Sequence, residues 1–366
     1  MKAPRVAIVH YWLVGMRGGE RVLEELLKIY PQADIFTNVY RPESVSPMIR
    51  RRNVYTTWIN KIPGAAKHYQ KLLPLMPGAL ESLNLTHYDL VISSESGPAK
   101  GVIAAPDAVH VCYTHSPMRY LWDHYHEYLE GAGRITRHIM PHVAHHMRKW
   151  DVTSATRVDS FVANSNFVRR RIKRAWGREA TVVHPPVSVR EFQPVKDAGK
   201  HYLWVSQMAP YKRADLAIEA FNKLKLPLLM IGDGEFAANA QRLAGPTVTV
   251  KPRVSFEDLK SAYANARALV FTPEEDFGIV PVEANASGRP VLAFEGGGAL
   301  ETVVKEETGL FFPEQDVESV IDGVERMEKW IRHFEPGAAI RNAERFAPER
   351  FKTGFQTVVA NAFASA

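Results

Sequence analysis

Strand-sized runs rich in valine and isoleucine alternate with amphipathic stretches along this chain in two successive series, and this recurrence limits the fold more than any single motif. The first series is Val6 to Val9, Asp34 to Val39, Tyr88 to Ser93, Val109 to Thr114, Ser160 to Ala163 and Thr181 to His184. The second is Tyr202 to Ser206, Pro227 to Gly232, Thr247 to Lys251, Ala268 to Thr272, Pro290 to Phe294 and Gly309 to Phe312. Strands that alternate with helices build parallel, doubly wound α/β sheets. A chain of 366 residues exceeds what one core usually holds, so each series predicts its own α/β domain. Val187 to Lys200, with Pro194, Lys196, Asp197 and Gly199, has no sustained period and reads as the linker. That places a boundary near Pro194 and predicts domains over 1–194 and 195–347. Pro348 to Ala366 reads as a helix opened by Pro-Glu-Arg that can pack on either unit, including back on the first.

Parallel open sheets bind ligands beyond the carboxyl ends of their strands, so the loops there are where chemistry is expected. After the first strand, His10 to Arg17 lead into Gly18-Gly19-Glu20-Arg21-Val22 and an amphipathic helix through Leu23, Leu26, Leu27 and Tyr30. Gly18 and Gly19 let backbone approach an anion, and the helix N-terminus supplies N–H groups and a positive dipole end. The loop matches neither the P-loop nor the dinucleotide fingerprint, and alone it is equally a tight βα turn.

In the second series, Glu275 and Glu283 stand around a helix that opens at Gly278, Ile279 and Val280. One carboxylate lies in the loop and the other about two turns along on the same side. N–H groups at the helix start suit phosphate, and carboxylates suit the hydroxyl groups of ribose and sugar. Ser206 to Phe221 places Lys212 and Arg213 just before another helix, where a cation neutralises a leaving diphosphate without a metal. Gly232-Asp233-Gly234-Glu235 and Glu295-Gly296-Gly297-Gly298-Ala299-Leu300-Glu301 close two further strand ends.

Taken together, Glu275-x7-Glu283, the Lys212 loop, Gly-Asp-Gly-Glu, the Gly-Gly loop with Glu301 and the early Gly-Gly-Glu-Arg-Val resemble the retaining glycosyltransferases of family 4, over nearly the whole chain. The resemblance implies a GT-B fold, with two Rossmann-like domains facing a central cleft, the first for the acceptor and the second for the nucleotide sugar. It implies that Lys212 grips the donor diphosphate. The family's arginine five residues earlier is Gln207 here, which leaves that charge to Lys212 with Arg213 as helper. Glu275 would contact the transferred sugar and Glu283 the ribose, while Phe277, Gly278, Ile279 and Val280 line the donor and Gly18 and Gly19 approach it. His115, in Tyr113 to Asp123, matches a histidine beside sugar and acceptor, so His115, Glu275 and Lys212 form the expected catalytic set. Arg119, Asn164 and Ser165 are expected at the acceptor, and His184-Pro185-Pro186-Val187 in the architecture between the domains.

The segments Val9 to Trp12, Cys112 to Asp123 and Pro210 to Arg213 resemble bacterial mannosyltransferases of O-antigen and exopolysaccharide assembly. This implies GDP-mannose as donor and a lipid-linked glycan acceptor. A GT-B nucleotide-sugar epimerase or hydrolase, or a non-catalytic nucleotide-sugar-binding partner subunit, remain the alternatives.

Composition bounds partners and place. Apolar residues at 46% and charged residues at 23% suit a packed globular protein. No apolar run reaches bilayer length, and Met1 to Arg5 enter a strand without a leader-like segment, which predicts a cytoplasmic protein. The single Cys112 reads as a core residue of a reducing compartment. A net charge of +6 favours anionic partners, but no aromatic-interleaved basic motif points to nucleic acid. Arg50 to Arg52 and Arg169 to Arg174 read as solvated helix faces. A lipid-linked acceptor would give these blocks, with Trp58, Tyr69 and Leu72-Leu73, a use in peripheral contact with an anionic inner membrane. His138, His142, His145 and His146 lie on one predicted helix without a carboxylate or thiolate to complete a metal site, and no Asp-x-Asp occurs. No metal or cofactor is therefore expected.

Overall fold

A computed structural model describes residues 4–196 and 199–365; Met1 to Ala3, Asp197, Ala198 and Ala366 lie outside the described residues. The chain divides into two compact units, Met1–Pro186 with Phe351–Ala366, and Val187–Arg350.

The first unit is built on seven strands: β1 (Val6–His10), β2 (Asp34–Thr37), β3 (Val54–Thr56), β4 (Leu90–Glu95), β5 (Val109–Thr114), β6 (Ser160–Ala163) and β7 (Ala180–Val182). All pair in parallel, in the order β3-β2-β1-β4-β5-β6-β7. Every residue of β1, β4 and β5 is buried, including the polar Ser93, Ser94, Glu95, His110 and Thr114, so none of the three reads as an alternating strand with a solvated face. The edge strand β3 is absent from the expected set, because its three residues are half-buried or exposed and follow Arg50 to Arg52. Helix Gly18–Ile29 packs Val22, Leu23, Leu26 and Leu27 into this core. Helix Pro348–Ser365 sets Phe351 and Phe355 against Tyr113, at ring separations of 5.5 and 6.3 Å.

The second unit holds β8 (Tyr202–Val205), β9 (Leu228–Ile231), β10 (Val248–Lys251), β11 (Leu269–Phe271), β12 (Val291–Phe294) and β13 (Gly309–Phe312). They form a parallel sheet in the order β10-β9-β8-β11-β12-β13. Val187, Val189 and Phe192, expected in a linker, are buried in this unit's core, and the Val187 N–H donates to the Phe346 carbonyl at 2.9 Å. The stretch lacks a period because it is a strap across the core, not because it is solvated.

In both sheets the chain runs outward in one direction and then reverses. The reversal separates β1 from β4 in the first sheet and β8 from β11 in the second. At such a point neighbouring loops diverge and leave room for a ligand beyond the strand ends.

Candidate functional site

In the second unit, the reversal point collects the charged residues. Lys212 arrives on the loop after β8 and Glu275 on the loop after β11, and the two form an ion pair at low exposure, 11% and 19%. The Lys212 backbone is fixed from below. Trp204 Nε1 donates to Thr272 Oγ1 at 3.0 Å, and Thr272 Oγ1 donates to the Lys212 carbonyl at 2.9 Å. Glu275 is fixed by its main chain, since the Gly298 N–H donates to the Glu275 carbonyl at 2.7 Å. A Cβ at Gly298 would lie 2.6 Å from the Phe277 carbonyl carbon, so the glycine loop is a seat for the Glu275 loop.

Helix Ile279–Ala286 begins behind Glu275, capped by Gly278 at φ +89, a conformation that only glycine adopts without strain. The N–H groups of the first turn have no partner within the helix and give the end its affinity for anions. One turn on, Glu283 accepts a 2.7 Å hydrogen bond from the buried Tyr263 hydroxyl. Burial, and then the Glu283 charge, hold the Tyr263 phenol well above its ordinary pKa, so it remains a donor.

In the first unit, the ends of β1 and β4 carry His10 and Ser94, both fully buried, and His115 follows β5. Ser94 Oγ lies 3.0 Å from His10 Nδ1 and 2.9 Å from His115 Nε2. Glu20 Oε1 lies 3.7 Å from His10 Nε2, and Glu20 Oε2 accepts the Arg17 N–H at 2.8 Å. Burial pushes the Glu20 carboxyl upward, but His10 and the backbone N–H groups of Glu20 and Arg17 outweigh it and hold it below its ordinary value. The His115 N–H donates to the Glu95 carbonyl at 2.8 Å, and Asn164 Nδ2 donates to the His115 carbonyl at 3.0 Å.

Two family descriptions match this chain in tandem. "Glycosyltransferase Family 4" covers residues 16–191, and "Glycosyl transferases group 1" covers residues 189–332. The chain belongs to glycosyltransferase family 4.

Its GT-B fold is shared with solved structures across its length. HepE of Anabaena in complex with UDP has a TM-score of 0.72, covering 98% of this chain and 100% of its own, at 16% identity. Sucrose-phosphate synthase from Thermosynechococcus elongatus has a TM-score of 0.73, covering 99% and 100%, at 18% identity. Among curated relatives, a GDP-mannose-dependent monoacylated alpha-(1-6)-phosphatidylinositol monomannoside mannosyltransferase of Corynebacterium glutamicum is 30% identical over 219 residues, which are 51% of this chain and 57% of that protein. An alpha-1,3/1,6-mannosyltransferase of Neurospora crassa is 29% identical over 46% of this chain and 48% of its own. The chain thus spans about half the length of the curated relatives it matches.

Several residues singled out in this family 4 chain are engaged in ways its sequence does not announce. Arg213, expected as a helper cation, pairs with Asp215 at 3.0 Å and donates to the Gln315 carbonyl at 3.3 Å. Gln207 is exposed on the loop after β8. The Phe277 ring is buried against Phe346 at 5.3 Å. Ile279 and Val280 occupy the first helical turn. Asn164 and Ser165, expected at an acceptor, are buried: Asn164 holds the His115 peptide, and Ser165 Oγ caps helix Asn166–Trp176 by accepting the Val168 N–H at 3.0 Å. Arg119 is half-buried and opens the short helix Arg119–Trp122. Gly18 and Gly19 begin their helix, and an added Cβ at Gly19 would run into the Tyr11 hydroxyl. In the basic block, Arg169, Arg170, Lys173 and Arg174 are exposed, but Arg171 turns inward to Ser116 and Asp123. Tyr69 packs on Trp12 at 4.8 Å, with Leu72 and Leu73 partly buried beside it, whereas Trp58 is exposed. His138, His142, His145 and His146 line helix Arg134–Ser154.

One cluster near His115 had no signal in the sequence reading. Lys100 and Asp151 are fully buried and paired, with Glu95 Oε1 3.9 Å from Lys100 Nζ. Asp151 Oδ2 accepts from Trp122 Nε1 at 2.8 Å and Trp176 Nε1 at 2.7 Å, and Lys100 Nζ lies 4.4 Å from the Trp176 ring centroid. Burial raises the Glu95 carboxyl to about 8, against the pull of Lys100.

Proposed function

We propose that this protein is a retaining hexosyltransferase that moves mannose from GDP-mannose to a lipid-linked glycan acceptor in bacterial surface polysaccharide synthesis. The observation that carries the reading is the Lys212–Glu275 pair at the reversal point of the second sheet, next to the anion-binding start of helix Ile279–Ala286. Breaking the anomeric C–O bond leaves negative charge on the diphosphate and positive charge on the sugar ring. In this reading Lys212 and the N–H groups of Gly278, Ile279 and Val280 take up the first, and Glu275 faces the second. Diphosphate draws Lys212 away from Glu275, so donor binding frees the carboxylate for the sugar hydroxyls. Glu283, oriented by Tyr263, takes the ribose, and His115 serves the sugar and acceptor. The second unit is then the donor domain and the first the acceptor domain.

GDP-mannose is favoured by the mannosyltransferase names among the sequence relatives. Peripheral contact with the cytoplasmic face of an anionic inner membrane is supported by exposed Trp58 and by Arg50, Arg169 and Arg170; among the described residues no helix is long and apolar enough to cross a membrane.

A thermal-shift panel of GDP, UDP, GDP-mannose and UDP-glucose tests the donor, since at equal concentration a tighter-bound ligand raises the melting temperature more. GDP-mannose should give the largest shift, and Lys212→Ala should abolish it. Labelled mannose should then appear in a lipid-linked product. Free mannose or an altered sugar nucleotide without acceptor extension would select an epimerase or hydrolase, and binding without turnover would select a partner subunit.

A further inference from the structure

We propose that Asp151 is a positioning residue: through Trp122 it ties the short helix Arg119–Trp122 to the same buried frame that holds His115, and so sets the segment that meets the acceptor. The inference rests on the reading that His115 and the turn after it serve the sugar and acceptor.

Helix Arg119–Trp122 has four residues, too few to hold itself, since a first helical turn fixes several dihedral angles for a single hydrogen bond. Its place is set by what grips it. Trp122 Nε1 donates to Asp151 Oδ2 at 2.8 Å, and the other oxygen of that carboxylate pairs with Lys100. Lys100 stands in the turn after β4, where its own N–H donates to Glu95 Oε2 at 2.7 Å, and the Glu95 carbonyl accepts the His115 N–H at 2.8 Å. With the chain from 115 to 122 these contacts close a ring. Both ends of the segment after β5 are thus fastened to Glu95, Lys100 and Asp151, all three fully buried.

Burial also makes the tie strong. It would by itself push the Lys100 ammonium down, but Asp151 and then Glu95 outweigh it and hold it above its ordinary value, so the pair stays ionic. A charged acceptor strengthens the indole hydrogen bond, and solvent does not compete for a carboxylate at 0% exposure. The segment has two further holds, from Arg148 Nε to the Leu121 carbonyl at 2.7 Å and from Arg171 Nη1 to Ser116 Oγ at 2.8 Å, and both come from side chains that are only half-buried. Asp151 Oδ2 also accepts from Trp176 Nε1 at 2.7 Å, but Trp176 closes helix Asn166–Trp176 and not the segment after His115.

That second indole supplies the control. Trp122→Phe and Trp176→Phe each take one N–H from the same Asp151 oxygen and leave the Lys100 pair in place. Trp176 is the more deeply buried, so its loss costs at least as much stability. The N–H groups of Leu121 and Trp122 donate to the Met118 carbonyl and those of Asp123 and His124 to the Arg119 carbonyl, so hydrogen exchange at 121–124 reads the helix directly. Exchange there should quicken roughly tenfold or more in Trp122→Phe and keep its wild-type rate in Trp176→Phe. With GDP-mannose and octyl α-mannoside as probes, Trp122→Phe should raise the acceptor KM roughly tenfold while donor KM and the GDP-mannose thermal shift stay unchanged. Trp176→Phe should leave both KM values unaltered. Asp151→Leu with Lys100→Met removes carboxylate and cation together and leaves no lone buried charge. It should match the acceptor KM of Trp122→Phe, and adding Trp122→Phe should raise it no further.

Equal exchange at 121–124 in the two tryptophan variants, or an acceptor KM that rises as much in Trp176→Phe, overturns the proposal. Faster exchange in Trp122→Phe with both KM values unchanged overturns it as well, because the tie then supports the fold and not the acceptor. A wild type that moves no mannose, with the exchange contrast intact, upholds the tie and removes the mannosyltransferase reading instead.

Discussion

Replacing Gly298 by alanine should cost both stability and turnover through contact alone. Gly298 has φ −75, which any residue adopts, so the substitution carries no backbone penalty. The added methyl would meet the Phe277 carbonyl carbon at 2.6 Å, whereas carbon atoms rest about 3.5–4.0 Å apart. The obstruction is main chain, which cannot swing aside as a side-chain tip can, so the two loops must separate by roughly 1 Å. Overpacking of this kind costs about 1–3 kcal/mol, and in a unit of this size each kcal/mol lowers the melting temperature by about 2–4 °C. The same movement carries the Glu275 carbonyl off the Gly298 N–H and shifts the carboxylate at the reacting centre, where a misplacement of about 1 Å costs on the order of a hundredfold in rate. Thermal unfolding and single-turnover transfer at saturating donor measure both quantities. Gly78→Ala provides the contrast, because it lies in helix Met76–Glu81 with nothing within 4 Å of its added Cβ, and should stabilise by about 0.5–1 kcal/mol. Wild-type melting and turnover in Gly298→Ala would refute the idea that this seat determines where Glu275 stands.

Other substitutions probe the remaining parts. Tyr263→Phe removes the phenol hydroxyl that donates to Glu283 and should raise donor KM roughly tenfold with kcat nearly unchanged, read from initial rates against donor concentration. Glu95, raised to about 8 from 4.5, holds a proton in the folded protein that the unfolded chain releases, so its stabilising contribution is complete below 4.5 and is lost as pH climbs towards 8. Glu95→Gln should therefore flatten the decline in stability between those values, measured by urea unfolding at several pH values. Cys112 is buried and its thiol is pushed up to about 12, so native protein should resist alkylation at about pH 8 while urea-unfolded protein reacts readily.

The fold was legible where burial imposes a simple pattern. Strands β8, β9, β11, β12 and β13 are largely buried and read as short apolar runs, whereas the edge strand β10 exposes Thr249 and Lys251. Strand β3, three residues long on an edge, shows no such pattern. Within the candidate site, the spacing of Glu275 and Glu283 and the cation before a helix were visible because they are local. Their supports were not. Tyr263 lies 20 residues from Glu283 and Ser94 lies 84 from His10, and no period links such partners. Lys100 and Asp151 were equally hidden, since charged residues in sequence suggest solvent until a cage of tryptophans is seen around them.

Helix Pro348–Ser365 has a consequence for how the protein can be made. It buries Phe351, Phe355, Val358, Val359 and Ala362, on the order of 10 kcal/mol of apolar contact at an upper estimate, comparable with the whole net stability of a typical domain. Because these residues belong to the first unit, a ribosome that has finished the second unit has still not released the piece that seals the first. Ending translation near Arg350 should yield a molecule with one sound half and one open, aggregation-prone half, and expressing residues 1–186 alone should fail unless the terminal segment is supplied as a separate peptide or grafted on by a short loop.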